Sequence, residues 1–286
     1  MAHWWLRKLY RSIEGIPRRL MRWGHARFLN PGRIDQLEAA GPTGARMAGV
    51  LRQLRSGDLG PSTAWIDRIE AERQRLFRSD ALVVDEPDAE PGPFDAGKTI
   101  RDISTASREP RPATLLHLLI REFQPAVALE LGTNLGISSA YLASALRLNG
   151  QGTLFTLEGS PHRVRHAQAV HQRLELDNIT YVTGLFADTL GGVLDDARPI
   201  GFAFVDGHHQ KEPTLNYFDA IWPHTREKAV IVFDDIRWSE GMKEAWRTLQ
   251  EDRRIRVAVD LRDMGLCITT RDPSPEGRYV SSAIAA

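Results

Sequence analysis

The residues of this chain that are best suited to chemistry are acids at the ends of predicted strands. Hydrophobic runs typical of buried parallel strands finish at Glu130, Glu158, Asp206 and the pair Asp234–Asp235. One acid after a strand is best explained as a helix N-cap. Four strand ends that carry acids at one edge of a sheet repel one another unless they share a cation or a hydrogen-bonding ligand. The pattern therefore predicts a ligand site at that edge.

The loop after the first of these strands contains two glycines, Gly132 and Gly136, and opens an alanine-rich helical pattern. Glycine lets a backbone turn sharply and approach a ligand closely, because it has no Cβ. The spacing is not the G-x-G-x-x-G of dinucleotide-binding proteins. An acid, Glu130, precedes the first glycine, where it would repel a diphosphate. The loop instead favours a ligand with an ammonium or sulfonium charge, and Glu158 after the next strand could accept two ribose hydroxyls.

Strand and helix patterns alternate from about residue 114, which predicts an α/β fold with a Rossmann-like, doubly wound, mostly parallel sheet. The predicted strands cover 126–131, 152–158, 178–184, 202–206, 229–235, 255–261 and 264–269. The predicted helices between strands cover 137–148, 161–174, 213–222 and 240–250, and two more are predicted before the first strand, at about 61–77 and 115–123. Only two residues join the last two strands, so these should form an antiparallel hairpin.

Four segments identify a family resemblance: E-L-G-T-N-L-G-I-S, L-E-G-S-P, V-D-G-H-H-Q-K-E-P-T-L-N-Y-F and V-F-D-D-I-R-W-S-E-G-M-K-E-A-W. From about Lys98 to Arg271, the chain resembles class I S-adenosylmethionine-dependent methyltransferases, in particular a bacterial branch of the catechol O-methyltransferase-like group. The resemblance implies seven strands in the order 3-2-1-4-5-7-6. It also implies that S-adenosyl-L-methionine binds at the glycine loop and the neighbouring strand ends.

The resemblance assigns a set of residues to this cofactor. They are Glu130, Gly132, Thr133, Asn134, Gly136, Ser138, Glu158, Gly184, Phe186 and Asp206. For Ser138 an alternative stays open, because a serine at this position also caps a helix.

A metal site is the second expectation. Asp206, Asp234 and Asp235 should meet at the ends of adjacent strands and offer the hard oxygen ligands that suit Mg²⁺. The metal-dependent members of the family take their ligands from these positions, so the resemblance implies one Mg²⁺ on the three aspartates. The same acids could instead cap helices or bind the cofactor's amine, and a metal-free methyltransferase remains the alternative.

A base is the third expectation. His209 stands three residues after Asp206, where the family often carries lysine or histidine, and imidazole can accept a hydroxyl proton near neutrality. We therefore predict His209 and Asp206 as the catalytic residues. His208 is expected to be a solvated loop residue, and Trp238 either walls an acceptor pocket or packs in the core.

Three further histidines, His162, His166 and His171, lie along one predicted helix. The spacing of the first two could bind a metal, but no acids converge on them. We therefore expect a solvated helix face.

Composition argues against nucleic-acid-binding, disulfide-bonded and membrane-spanning proteins. The formal net charge is zero and the 37 basic residues form no stripe in the catalytic domain, which argues against nucleic acid as a partner. The one cysteine, Cys267, lies in an apolar run and suggests a buried, inert thiol in a reducing compartment. No apolar run approaches the roughly 18 residues of a membrane span. We expect a cytoplasmic protein.

Three regions are predicted along the chain: a helical extension (1–95), a methyltransferase domain (96–272) and a tail (273–286). Residues 3–27 of the extension combine arginines with tryptophans, which fits a lid, a homodimer helix or peripheral contact with a membrane surface. The predicted function is O-methylation of a small-molecule hydroxyl. The alternatives are metal-free O- or N-methylation, and a non-catalytic protein of the same fold that binds a membrane or partner.

Overall fold

A computed structural model describes residues 29–84, 95–272 and 278–281 of the chain. They form an eight-stranded sheet in the order β3-β2-β1-β4-β5-β7-β6-β8, with helices on both faces. The predicted α/β class and the implied order of the first seven strands are confirmed. The eighth strand, which pairs in parallel with β6, was not predicted.

The strands agree closely with the sequence patterns. They are β1 (Val127–Leu131), β2 (Thr153–Glu158), β3 (Ile179–Thr183), β4 (Ile200–Val205), β5 (Thr225–Asp234), β6 (Ile255–Asp260), β7 (Met264–Thr269) and β8 (Tyr279–Val280). β7 runs antiparallel to both β5 and β6, as expected for the hairpin. The short β8 carries little hydrophobic signal, and its pairing depends on β6 rather than on its own sequence.

Ten α-helices surround the sheet in the described part of the chain. They are α1 (Pro31–Ala39), α2 (Pro42–Ser56), α3 (Ser62–Phe77), α4 (Ile100–Ser104), α5 (Pro110–Phe123), α6 (Ile137–Leu148), α7 (Pro161–Arg173), α8 (Phe186–Asp196), α9 (Lys211–Ile221) and α10 (Glu240–Glu251). Proline begins several of them, where its fixed φ and missing N–H are tolerated. A short 3₁₀ turn, Trp222–His224, leads into β5.

The sequence patterns missed α1, α2, α4 and α8. The helix α8 contains Gly191 and Gly192 in its interior, which lowers intrinsic helix propensity by about 1 kcal/mol each relative to alanine. It forms because Leu190, Val193 and Leu194 are buried against the sheet. Tertiary packing therefore overrides a weak local preference.

The first described helices extend the core rather than form a separate unit. α2 packs against α5, and α3 packs against α6, in one hydrophobic cluster that continues into the sheet. Polar contacts join the same layers: Arg46 pairs with Glu122 at 2.8 Å, and the Tyr141 hydroxyl donates to Glu70 at 2.7 Å. Residues 29–84 therefore form an outer layer on one side of the sheet.

The predictions for residues 3–27, and for most of the predicted tail at 273–286, lie outside the described residues. Among the residues that the structure describes, no helix is long and apolar enough to cross a membrane. Cys267 is buried, as expected, and burial raises the pKa of its thiol above the usual value.

Candidate active site at the carboxyl edge of the sheet

The sheet brings the predicted acids to one edge. In the parallel register, Leu131 lies opposite Val205, and Val205 lies opposite Phe233. Asp206 and Asp234, the next residues on β4 and β5, are therefore neighbours. The Asp206 amide donates to the Leu131 carbonyl at 3.0 Å, which ties the strand ends together.

We divide this edge into two parts. The glycine-loop end comprises Glu130, the loop from Gly132 to Gly136, and Glu158. The aspartate end comprises Asp206, His209, Asp234 and Asp235.

The tightest point of the glycine-loop end is Gly132. Its φ of 106° lies in the region that favours glycine, and an added Cβ would stand 2.3 Å from the Asp206 carbonyl oxygen. Gly136 has a φ of 85°, and a Cβ there would come within 2.9 Å of Ala167 and His171. Only glycine fits at these two positions.

Glu130 is completely buried beneath the start of α6. One carboxylate oxygen, Oε2, accepts hydrogen bonds from the Thr156 hydroxyl at 2.7 Å and from Ser139. Burial raises the pKa of this carboxyl to about 7, although the hydroxyls of Ser138 and Ser139 act in the opposite direction. The other oxygen, Oε1, has no hydrogen-bond partner among the described residues.

Glu158 organises the outer side of the same loop. Its carboxylate accepts the Asn134 amide at 2.9 Å and the Ser160 amide at 3.0 Å. The Asn134 side-chain oxygen is buried and has no partner in the described part of the chain. Glu130 and Asn134 thus each present a buried acceptor at the loop, and such atoms normally have a donor. A ligand rich in N–H and O–H groups fits this arrangement.

The remaining members of the predicted cofactor set also lie at this edge. Thr133 is buried, and its hydroxyl lies 2.6 Å from that of Thr156. Ser138 is buried in the first turn of α6, and its hydroxyl acts to lower the pKa of Glu130. Gly184 follows β3 with a φ of 146°, and its amide donates to the Glu158 carbonyl at 2.9 Å.

His171 supports the loop from behind, which corrects the expectation of a solvated helix face. Burial lowers its pKa to about 4, so the ring is neutral near pH 7. Nε2 lies 2.7 Å from the Gly136 carbonyl, which can only accept, and Nδ1 lies 2.7 Å from the Tyr181 hydroxyl. The ring therefore donates from Nε2 and accepts at Nδ1. His162 is also buried, and His166 bonds the Val83 carbonyl.

An aromatic cluster lies between the two ends of the site. Phe186 meets His208 and Tyr217 edge to face, with ring centroids 5.8 Å apart in each pair. His208 is exposed, as expected of a solvated loop residue, and its Nδ1 also bonds the Tyr217 hydroxyl at 2.5 Å. Next to Phe186, Leu185 is 65% exposed, and sequence patterns did not select it. An exposed leucine beside an aromatic ring offers an apolar surface to a flat ligand.

At the aspartate end, His209 faces two carboxylates. Its Nε2 lies 3.6 Å from Asp206 Oδ1 and 3.9 Å from Asp235 Oδ2. Burial raises the pKa of Asp206, and the positive charges of Arg108 and His209 oppose that shift. His209 and Asp235 have φ values of 36° and 50°, in the left-handed region that residues other than glycine seldom adopt. Such conformations concentrate at functional sites.

Trp238 is 49% exposed, and its ring centroid lies 5.9 Å from that of His209. It therefore lies beside the site rather than in the core. This position agrees with the first of the two interpretations of this residue, a wall of an acceptor pocket.

The residue that sequence reasoning missed is Arg108, from the segment between α4 and α5. Its buried guanidinium contacts Asp234 directly and lies 3.3 Å from Asp235. Asp234 is also buried, and its second oxygen accepts the Asp235 amide at 2.8 Å. No motif surrounds Arg108, and 126 residues separate it from Asp234, so only the folded chain reveals the pair.

Arg108 changes the interpretation of the predicted Mg²⁺ ligands. Both oxygens of Asp234 already have partners, and a guanidinium lies between this carboxylate and Asp235. Within the described ranges, no group of three His, Cys, Asp or Glu side chains is arranged to hold a metal ion. The donor set of Asp206, Asp234 and Asp235 therefore does not fit the metal that the resemblance implied.

Comparisons with known proteins identify the same region of the chain. A methyltransferase-domain family model matches residues 129–236, which include both ends of the site. A catechol O-methyltransferase of Niastella koreensis is 33% identical over 132 residues. That alignment covers 46% of this chain and 58% of the relative, so the chain matches little more than half of the relative's length.

Solved structures share the fold at low sequence identity. An O-methyltransferase from Bacillus cereus in complex with SAH has a TM-score of 0.52 at 20% identity, and the match covers 76% of this chain and 96% of that one. The O-methyltransferase TomG from Streptomyces achromogenes, in complex with SAM, has a TM-score of 0.51 at 21% identity, with 75% and 93% covered. These similarities establish the fold of the sheet and its helices.

Proposed function

We propose that this chain is a class I methyltransferase that uses S-adenosyl-L-methionine to methylate a hydroxyl group of a small molecule. The observation that carries the proposal is a pair of buried acceptors at the glycine-loop end, Glu130 Oε1 and Asn134 Oδ1, that have no hydrogen-bond partner among the described residues. An ammonium group and ribose hydroxyls are the donors that such a site requires.

Different residues of the site bind different parts of the cofactor. Burial raises the pKa of both Glu130 and Asp206, and the positive ammonium and sulfonium groups of a bound cofactor would favour the charged form of these carboxyls. Glu158 retains lone pairs for the ribose hydroxyls. Phe186, Leu185 and Gly184 offer an apolar surface for the adenine. When bound, S-adenosylmethionine supplies a methyl group on a positively charged sulfur.

His209 provides the proton chemistry on the acceptor. Its imidazole takes the proton from the acceptor hydroxyl as the oxygen attacks the methyl carbon. With the cofactor bound, the acceptor oxygen would gain the methyl group, and the electron pair of the broken methyl–sulfur bond would stay on sulfur. The imidazolium produced lies 3.6 Å from Asp206 and 3.9 Å from Asp235, which stabilise its charge. Trp238 provides a wall against which an acceptor can be oriented, and such alignment supplies much of the rate of a displacement.

The experiment combines calorimetry with S-adenosylmethionine and a turnover screen over phenols, catechols and sugars. We expect cofactor binding and a methylated product, and we expect His209→Ala to lower kcat by about a hundredfold while cofactor affinity is retained. The control is His224→Ala, since His224 lies next to the opposite end of β5. If the protein binds no methyl donor, or binds it and methylates no acceptor, the proposal fails and the non-catalytic alternative takes its place.

Two finer proposals accompany this function. We propose a cytoplasmic location, on the argument of a single buried cysteine. We also propose that residues 3–27 form a lid, a homodimer contact or a membrane-surface helix. Deletion of residues 1–28 should lower turnover or dimerisation with cofactor affinity nearly unchanged. If the deletion removes only co-sedimentation with anionic vesicles, the membrane alternative is correct.

A further inference from the structure

Arg108 places a buried positive charge next to the carboxylates of the aspartate end. Three carboxylates, Asp206, Asp234 and Asp235, converge there, and like charges this close cannot all stay ionised without a cation. The Arg108 side chain is only 5% exposed and lies against two of the three. A buried arginine in direct contact with a buried aspartate keeps its charge, so this cation is part of the fold.

From this geometry we propose that Arg108 replaces the divalent metal, so that methyl transfer by this chain is independent of metal ions. The inference rests on the proposed methyltransferase function and deepens it. The guanidinium neutralises Asp234 and holds Asp235 in place. Arg108 is a positioning residue here, because it acts through the aspartates rather than on the acceptor.

The replacement changes which group handles the acceptor proton. A divalent ion carries two positive charges and can hold two acceptor oxygens, whereas a guanidinium carries one charge and only donates hydrogen bonds. Arg108 therefore cannot bind and activate an acceptor hydroxyl as a metal ion would. His209 takes the acceptor proton instead, and the carboxylates of Asp206 and Asp235, both within 4 Å of its Nε2, stabilise the imidazolium that forms.

This arrangement also defines the substrate class. A metal that chelates its acceptor favours two adjacent oxygens, as in a catechol. Here the cation, Arg108, is paired with Asp234 and chelates no acceptor oxygen. Two adjacent oxygens are therefore not required, because deprotonation of the acceptor hydroxyl depends on His209 alone. The acceptor class that fits is therefore a monohydroxyl compound, such as a simple phenol, as well as a catechol.

The experiment compares the wild-type protein with Arg108→Ala, using Mg²⁺ and Mn²⁺ as probes. Wild-type turnover should survive chelator treatment, and neither ion should raise its Tm. Arg108→Ala should lose at least tenfold in kcat, about 1.4 kcal/mol. It should also gain a Tm increase with Mn²⁺ or Mg²⁺, because the vacated space beside three carboxylates becomes a cation site. A purely structural role for Arg108 would not create that response to metal.

Two further variants control for the loss of an arginine elsewhere on the protein and for a failure to fold. Arg52→Ala removes another arginine that contacts two carboxylates, Asp35 at 2.8 Å and Glu38 at 2.6 Å, but on an exposed surface. It should change neither turnover nor the response to metal. If Arg108→Ala does not fold, Arg108→Lys keeps the charge and should restore folding with reduced kcat.

Two results would overturn the proposal: wild-type activity that chelator removes and Mg²⁺ restores, or a wild-type Tm that rises with either metal. If no acceptor is methylated at all, the proposed function fails, while the Tm measurements still decide whether Arg108 excludes a metal.

Discussion

The two ends of the site hold their carboxylates in place with different kinds of partner. At the glycine-loop end, Glu130 and Glu158 are held by backbone amides and hydroxyls, and the partners lie within about 26 residues along the chain. At the aspartate end, Asp234 is held by an arginine 126 residues away. Neutral donors leave a carboxylate its charge and leave acceptors free for a ligand. A guanidinium cancels the charge and fixes the geometry. We therefore propose that the first end binds the cofactor and that the second end orients the acceptor.

The strongest test of this division is at Gly132. Gly132→Ala would place a methyl group 2.3 Å from the Asp206 carbonyl, at a φ where alanine is strained. The loop has to shift, and we expect cofactor affinity measured by calorimetry to fall at least a thousandfold, about 4 kcal/mol. Gly41→Ala is the control, because its φ of 103° is equally unusual but an added Cβ meets nothing within 4 Å. Equal losses in both variants would show that strain, and not the packing of the loop, controls binding.

A second test uses the pH dependence of stability at Glu130. Its pKa is raised to about 7 in the folded state from 4.5, so between these values the folded protein binds more protons than the unfolded chain. Wild-type stability should therefore fall as pH rises through this window. In Glu130→Gln that contribution is absent. Chemical denaturation without cofactor should show the variant gaining about 2–3 kcal/mol on the wild type between pH 5 and 8, since each pKa unit is worth 1.36 kcal/mol. A difference that is constant with pH would contradict the burial argument.

The third test compares one substitution at the aspartate end with one at the glycine-loop end. Asp235→Asn should lower kcat about tenfold with little change in cofactor affinity, because it weakens the support of His209. Asparagine also tolerates the left-handed backbone at this position. Glu158→Gln should do the reverse and weaken cofactor binding about tenfold, 1.4 kcal/mol, with kcat retained at saturation. If both variants change the same kinetic parameter, the division into a binding end and an orienting end is wrong.

The smallest expected effect is at His171. Its Nε2–H donates to the Gly136 carbonyl, and one such hydrogen bond contributes about 1 kcal/mol. We expect His171→Phe to weaken cofactor binding about fivefold in calorimetry. His166→Phe is the control on the same helix, since His166 bonds the Val83 carbonyl, away from the glycine loop. An unchanged dissociation constant in His171→Phe would mean that the loop keeps its shape without this support.

The same contrast explains what the sequence could predict. The strand ends, the glycine loop and Glu158 follow from hydrophobic periodicity and from residues close together in the chain. Arg108 has no local signal, since its role depends on the distant Asp234. The helix α8 was missed because Gly191 and Gly192 lower its helix propensity, and the helix is stabilised by packing of its apolar residues against the sheet. The buried histidines were misjudged, because their partners, Gly136 and Tyr181 for His171, come together only in the folded chain.

The short strand β8 has a consequence for how this protein behaves towards other copies of itself. Without it, β6 would be the outermost strand, with a row of unpaired amide and carbonyl groups open to a neighbouring chain. Tyr279 and Val280 pair along β6, and the Ser281 hydroxyl accepts the Asp260 amide at 2.9 Å. These few residues near the C-terminus therefore protect a sheet edge against aggregation. Truncation after residue 272 should reduce solubility without any change in the active site.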